Sequence, residues 1–326
     1  MKMFSMIACV IVGFNVLGQT DSSYYLEGYT QGTTFHIHYV DGKNIELKEE
    51  LIQLLIDFEN SLSSYDDNSL LSKLNRNETN KVDSYFVRCF KYSKKVSRIT
   101  MGAFDPTILP LLSYYGQGPK GKEMDHIGNL DSIRALVGMD KVKLRGHKLI
   151  KKNPGIQLDF NACAQGYSVD LVGKLFESHG INNYLIEIGG EVLGKGKDQK
   201  GQIWNVHIEE PDTPELYDWI YLKDQAIATS GNYRKWKESG GELVGHEVDP
   251  VQRKMASTNI LSATVIASST IKADAYATAF CIVDLNEIKR IAKREALKVK
   301  IVYLDDNEER KVYESDGFQP KPMSIE

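Results

Sequence analysis

The chain has 326 residues, 42% apolar and 26% charged, the balance of a globular protein with one large core or two modest ones. That composition excludes a disordered chain, a collagen and a coiled coil. Forty Lys and Arg against 44 Asp and Glu give a formal net charge of −4, so no overall basic surplus exists to neutralise a nucleic-acid backbone and no nucleic-acid partner is expected.

After Lys2 the run Met3 to Leu17 is almost wholly apolar, too short to span a bilayer comfortably, and it gives way to Gly18-Gln19-Thr20 and Asp21-Ser22-Ser23. Residues 1–18 are therefore expected to be a cleaved secretory signal and residues 19–326 a single domain; a retained anchor is the alternative. No Cys follows Gly18 to carry a lipid. Of the four cysteines Cys9 leaves with the signal, and Cys89, Cys163 and Cys281 allow at most one bridge. Without a Cys-x-x-Cys pair, neither a zinc ribbon nor a thioredoxin-like site is expected.

Thr34 to Tyr39 alternates, with Phe35, Ile37 and Tyr39 on one face and His36 and His38 on the other, which predicts a half-buried strand. The two histidines could ligate a transition metal, but no third ligand accompanies them. Leu47, Leu51, Leu54, Leu55, Phe58 and Leu62 recur at helical spacing, as do Phe86, Cys89, Phe90 and Val96, the second helix ending at Met101-Gly102. Asp105-Pro106 predicts a new helix start, with Asp105 as cap. Lys141 to Leu144 and Lys148 to Lys151 read as a hairpin. Ile156 to Phe160 reads as a strand feeding a loop, Asn161 to Gly166, with a helix from Tyr167. Tyr184 to Ile188 and Ala263 to Ala267 read as strands, and Ala273 to Val283 as an alanine-rich helix. The expected fold is α+β, one mixed-sheet domain rather than a purely parallel sheet.

In Ala273-Asp274-Ala275-Tyr276-Ala277-Thr278, residues four apart share a helix face, so the Asp274 carboxylate and the Thr278 hydroxyl can converge on one point. Two hard oxygens suit Mg²⁺, which keeps waters and takes further ligands from a substrate phosphate. A local Asp–Thr contact on an exposed face is the bland alternative. Junctions rich in small residues recur at Gly102-Ala103-Phe104-Asp105, Asn161 to Gly166, Gly189-Gly190 and Ser230-Gly231, where backbone can approach a ligand closely. None is a P-loop or a dinucleotide fingerprint. His246, just before Asp249-Pro250, can act as a base near neutral pH, or is a surface turn histidine. Tyr65, past a helix end, can stack on a planar heterocycle, or packs in its loop.

Taken in order, Gln31-Gly32-Thr33-Thr34-Phe35, Leu62 to Asp66, Gly102 to Thr107, Leu158-Asp159-Phe160 with Ala164 to Tyr167, Gly189-Gly190-Glu191, Ala228 to Gly231, His246 to Pro250, and Ala273-Asp274-Ala275 with Thr278 resemble the ApbE family, the FAD:protein FMN transferases. The resemblance runs from about Tyr25 to beyond Val283. It implies a secreted, periplasmic enzyme that binds FAD and Mg²⁺, cleaves the pyrophosphate and transfers FMN through a phosphoester to a threonine of a partner flavoprotein, such as a subunit of a membrane electron-transfer complex. By similarity Asp274, Thr278 and the carbonyl of Ala162 become metal ligands, and Tyr65 stacks on the isoalloxazine. Gln31, Ala103, Phe104, Asp105, Asp159, Gln165 and Val248 match FAD-contacting positions, some through backbone alone. His246 is the candidate for positioning or deprotonating the acceptor, with Asp105 second. Gln31 stands where relatives often carry Met, and Gln165 where they usually carry a charge, so Gln165 can hydrogen-bond but supplies no charge. A metal-dependent FAD pyrophosphatase and a non-catalytic flavin-binding protein are the competing readings.

Overall fold

The computed structural model describes residues 22–41, 46–119, 129–209, 217–231, 237–239, 242–244, 248–256, 258–319 and 321–322. The expected signal (1–18) and His246 lie outside these residues.

In chain order the elements are β1 (Ser22–Thr30), β2 (Thr33–Asp41), α1 (Lys48–Leu62), α2 (Leu70–Asn75), α3 (Ser84–Ile99), α4 (Leu109–Tyr114), α5 (Leu130–Arg134), β3 (Val142–Arg145), β4 (Lys148–Lys151) and α6 (Asn161–Ser178). They continue with β5 (Asn183–Ile188), β6 (Glu191–Lys195), β7 (Trp204–Glu209), β8 (Tyr217–Leu222), β9 (Gln225–Gly231), β10 (Lys237–Ser239), β11 (Glu242–Val244), β12 (Val248–Asp249) and β13 (Lys254–Met255). The chain closes with β14 (Ile260–Ala267), α7 (Thr270–Phe280), α8 (Leu285–Glu295), β15 (Lys298–Leu304), β16 (Arg310–Glu314) and β17 (Lys321–Pro322).

The α+β class is borne out. An eight-stranded sheet in the order β1-β2-β5-β6-β9-β14-β15-β16 forms the platform, and each of its pairings is antiparallel. One face carries the helices. Phe86 and Phe90 of α3, Tyr167 of α6 and Tyr276 and Phe280 of α7 pack with Val265 and Ile301 of the sheet. Beside them Leu51 and Leu55 of α1 and Phe176 of α6 pack on Ile37 and Ile186. Ile208, Ile220 and Leu222 of β7 and β8 cover Val192, Ile227 and Ile266 on the opposite face. Burying each such side chain stabilises by about 1.5–3 kcal/mol, which is why the strand faces alternate as the sequence predicts. Among the described residues no helix is long and apolar enough to cross a membrane.

Two expectations are corrected. Ile156 to Phe160 forms no strand. The Asn75 side chain takes the place of a pairing strand, donating Nδ2 to the Leu158 carbonyl and accepting from the Leu158 amide, both at 2.8 Å. Nor is Asn161 to Gly166 a loop: it forms the first turns of α6, and Gly166 is a helix-interior glycine. Small residues there permit close helix packing rather than a turn. A Cβ on Gly166 would lie 2.5 Å from the Thr270 carbonyl oxygen and 2.8 Å from Asp274 Cβ.

Candidate flavin and metal site

The start of α6 organises the site because it is pressed against α7. The Gly166 amide, which lies one helical turn after Ala162, donates to Asp274 Oδ2 at 2.9 Å. The carboxylate is thereby drawn to the turn of α6 that bears the Ala162 carbonyl. One helical turn on, Thr278 places Oγ1 3.3 Å from Ser230 Oγ of β9. Asp170, one turn beyond Gly166, accepts from the amides of Thr270 at 2.7 Å and Ile271 at 3.0 Å. Those are free amides at the start of α7, whose N-cap Ser269 makes no side-chain cap. Thus α6 grips α7 at two points.

Asp274 is buried, and loss of water pushes its carboxyl up to about 7, opposed by the Gly166 amide and reinforced by the charge of Asp170. Glu191, at the start of β6, is also buried and held well above the ordinary carboxylate range by desolvation first and by the Asp274 charge second. Its Oε2 is buried without a hydrogen-bond partner among the described residues. An orphaned carboxylate oxygen beside a second buried carboxylate is the condition a cation relieves. Among the described residues no group of three or more His, Cys, Asp or Glu side chains is arranged to hold a metal, so an ion here would draw on hydroxyl, carbonyl and substrate oxygens as well. That donor set fits a hard divalent ion such as Mg²⁺.

The same helix end borders a cleft of about 770 Å³. Gln31, Tyr65, Asn161, Ala164 and Gln165 line it, with Phe58 and Leu62 supplying apolar surface. Tyr65 is 70% exposed, its ring open to a stacking partner. Asn161 Nδ2 reaches Tyr65 Oη at 3.4 Å and Asp159 Oδ2 at 3.2 Å, while the Asn161 amide donates to Asp159 Oδ1 at 2.6 Å. Burial raises the Asp159 carboxyl. The backbone of Gln31 is left-handed, and its amide donates to Glu59 Oε1. Its side chain donates to Ser168 Oγ at 2.8 Å, and Ser168 in turn donates to the Gln165 carbonyl at 2.7 Å. Gln165 lies over Gly189, where a Cβ would be 2.1 Å from Gln165 Nε2 and where φ is +65°. Glycine suits that turn, where a side chain would have to displace the Gln165 amide and meet Thr33.

Beyond the cleft, Ala103, Phe104 and Asp105 form a buried loop after α3, tied to the cleft by the Asp159 amide donating to the Pro106 carbonyl at 2.8 Å. Asp105 Oδ1 accepts from the Thr107 amide and hydroxyl, and Oδ2 from the Met139 amide. Three donors occupy both oxygens, the arrangement of a structural cap rather than of a free base. The Val248 side chain packs on Leu111 and Val137, and its backbone pairs with Met255 of β13. His36 bonds Tyr25 Oη through Nδ1, and His38 lies against the Tyr25 ring, both on the strand surface.

A family model described as "ApbE family" matches residues 31–302. The chain belongs to the ApbE family. Among curated relatives, a Vibrio cholerae protein named FAD:protein FMN transferase is 31% identical over 91% of this chain and 92% of its own. One of the same name from Haemophilus influenzae is 30% identical over 86% and 87%. Among solved structures, the flavin transferase ApbE from Vibrio cholerae matches with a TM-score of 0.81 at 29% identity, covering 91% of this chain and 98% of its own. The apo flavinyl transferase ApbE from Pseudomonas stutzeri matches with a TM-score of 0.84 at 27% identity over 93% and 98%.

Within this ApbE-family fold, Asp274 is bonded to the opening of α6, Thr278 lies one turn further along α7 beside Ser230, and Gln31, Tyr65 and Gln165 share one cleft. Asp170 and Glu59 carry no site role in the sequence reading, and Glu191 and Ser230 enter it only as members of glycine-bearing segments, without a role for their side chains. Asp170 carried one readable signal, its position four residues after Gly166 on the same helix face.

Proposed function

We propose that this ApbE-family protein is an FAD:protein FMN transferase, an enzyme that cleaves FAD, joins FMN through a phosphoester to a threonine of a partner flavoprotein and releases AMP. The observation that carries the reading is the Asp274–Gly166 contact, which ties a buried carboxylate to the opening of α6, the same helix end whose Asn161, Ala164 and Gln165 line the cleft with the open Tyr65 ring. The names of the relatives supply the reaction class.

In this account the isoalloxazine stacks on Tyr65, with Gln31 and Gln165 within reach of its polar edge. Asp274, Thr278 and the Ala162 carbonyl would hold Mg²⁺, with Glu191 adding negative charge. When bound, the ion neutralises the pyrophosphate and makes AMP a better leaving group. The Gly166 amide fixes the orientation of Asp274, and Asp170 fixes the helix from which it projects. The acceptor threonine Oγ forms a bond to the FMN-side phosphorus as the bond to the bridging oxygen breaks, and that oxygen departs with AMP. The threonine proton passes to His246, since the oxygens of Asp105 are occupied. The apolar run Met3 to Leu17 supports export, and the acceptor would be a membrane electron-transfer subunit on the periplasmic side.

The test is the intact mass of a threonine-bearing acceptor fragment after incubation with the protein, FAD and Mg²⁺. A gain of one FMN on the acceptor is expected. Free FMN and AMP beside an unmodified acceptor would make the protein a hydrolase, and unchanged FAD would make it a binder.

A further inference from the structure

A concavity of about 890 Å³ lies apart from the flavin cleft. It runs between the outer face of α3 and the β3 strand and ends at Met101-Gly102 and Pro250-Val251. Lys91, Lys94, Lys95 and Arg98 follow one another at helical spacing along its α3 wall; Lys143 stands on the other side and Arg253 at the end. Against six cations the lining offers two carboxylates. Asp105 is enclosed by its three donors, and Asp140 pairs with Lys152 at 3.2 Å. Lys95 has a distant partner in Glu295 at 3.8 Å. Among the described residues no hydrogen bond or ion pair engages the side chains of Lys91, Lys94, Arg98, Lys143 or Arg253. In a chain with a net charge of −4, such a cluster is a local inversion of sign, and a concave wall focuses its field.

The part of the groove bordered by Met101 and Val251 is apolar. Met101 and Val251 are 66% and 58% exposed, and Gly102 lies against Val251, so the two sit side by side. This end abuts the proposed FAD site: Asp105 lines the groove, and Pro250 and Val251 directly follow β12.

We propose that this groove seats an acidic stretch of the acceptor polypeptide flanking the threonine that receives FMN. The inference rests on the transferase reading, because only an acceptor protein must run its chain past that end of the site. From residue 91 to residue 98 a helix rises about 10 Å, the length of roughly three extended residues, so the stripe matches a short peptide. A free small anion would leave most of it unused. A flat anionic bilayer cannot follow a concavity, and the apolar end calls for a side chain beside the acidic ones.

The test uses two fluorescein-labelled peptides, each with a central threonine, one flanked by four Asp and Glu residues and the other by the matching Asn and Gln. Their binding is measured by anisotropy to the protein loaded with FAD in EDTA. The acidic peptide is expected to bind at least about tenfold tighter at low salt, the preference fading as salt rises. Lys91→Glu/Lys94→Glu/Arg98→Glu abolishes the preference with FAD affinity unchanged, and the milder Lys91→Gln/Lys94→Gln/Arg98→Gln reduces it should the reversal variant fold poorly. Equal binding of the two peptides, or a preference that survives both variants, overturns the proposal. So does retention of the wild-type protein on phosphatidylglycerol vesicles through these residues without a peptide preference, which would make the groove a membrane contact. Failure of the transferase reading shows separately, as wild-type protein that moves no FMN to any acceptor while the peptide measurement still reads the groove.

Discussion

Asp274 Oδ2 accepts the Gly166 amide at 2.9 Å, a bond from a side chain of one helix to the backbone of another. It explains why a glycine occupies a helix interior where alanine would be the better helix former. Backbone approach is what α6 and α7 need at that point, and Gly166→Ala drives a Cβ into the Thr270 carbonyl. The variant is expected to lose about 3 kcal/mol of stability in urea unfolding, the size of an overpacked core site, with FAD turnover falling further than stability accounts for.

Asp170 caps α7 from across the helix pair. Asp170→Ala leaves the Thr270 and Ile271 amides unpaired in a buried place and is expected to cost about 1–2 kcal/mol, read as a lower urea midpoint with an unchanged slope.

The raised carboxyl of Asp274 fixes a pH dependence. An unfolded aspartate releases its proton near 3.8, whereas folded Asp274 holds it to about 7. Between those values the native state binds more protons, so stability of the metal-free protein falls as pH rises through the window and levels off above it. Other buried carboxyls slope the same way, so the contribution is isolated as wild type minus Asp274→Asn in EDTA. That difference should favour wild type progressively less from about pH 4 to about pH 7. Asn keeps an acceptor for Gly166 but not the charge, so Mg²⁺ affinity and FMN transfer are lost.

Glu191 behaves as a second site carboxylate. Glu191→Gln removes the need to protonate a buried group at neutral pH and is expected to raise the melting temperature of the metal-free protein at pH 7–8, while leaving it unchanged near pH 4. Mg²⁺ binding in calorimetry should weaken. A lower melting temperature at pH 8 would mean that the carboxylate has a partner of its own.

Tyr65→Ala removes an open ring from the cleft without touching the core. The KM for FAD should rise roughly three- to tenfold, as loss of a stacking contact predicts, with thermal stability unmoved.

Much of this was legible in the residues. Helices α1 and α3 bury one face and expose the other, so their apolar spacing showed them plainly. The Asp274 and Thr278 pair was visible because a turn of helix puts them on one side. What escaped depended on contacts distant in sequence. Ile156 to Phe160 has the look of a strand, and only Asn75, 83 residues from Leu158, reveals that a side chain supplies its hydrogen bonds. The opening of α6 reads as a loop because its small residues serve α7, and the orphaned oxygen of Glu191 follows from where β6 meets that helix pair rather than from any local pattern.

Whether a divalent ion is held between Asp274 and Thr278 is decided by crystals of the protein with FAD and Mn²⁺, whose anomalous signal locates the ion. A peak bonded to the Asp274 carboxylate, the Thr278 hydroxyl and the Ala162 carbonyl, in contact with the pyrophosphate, is expected. A peak elsewhere, or bound FAD with those oxygens turned away from its phosphates, would contradict that assignment.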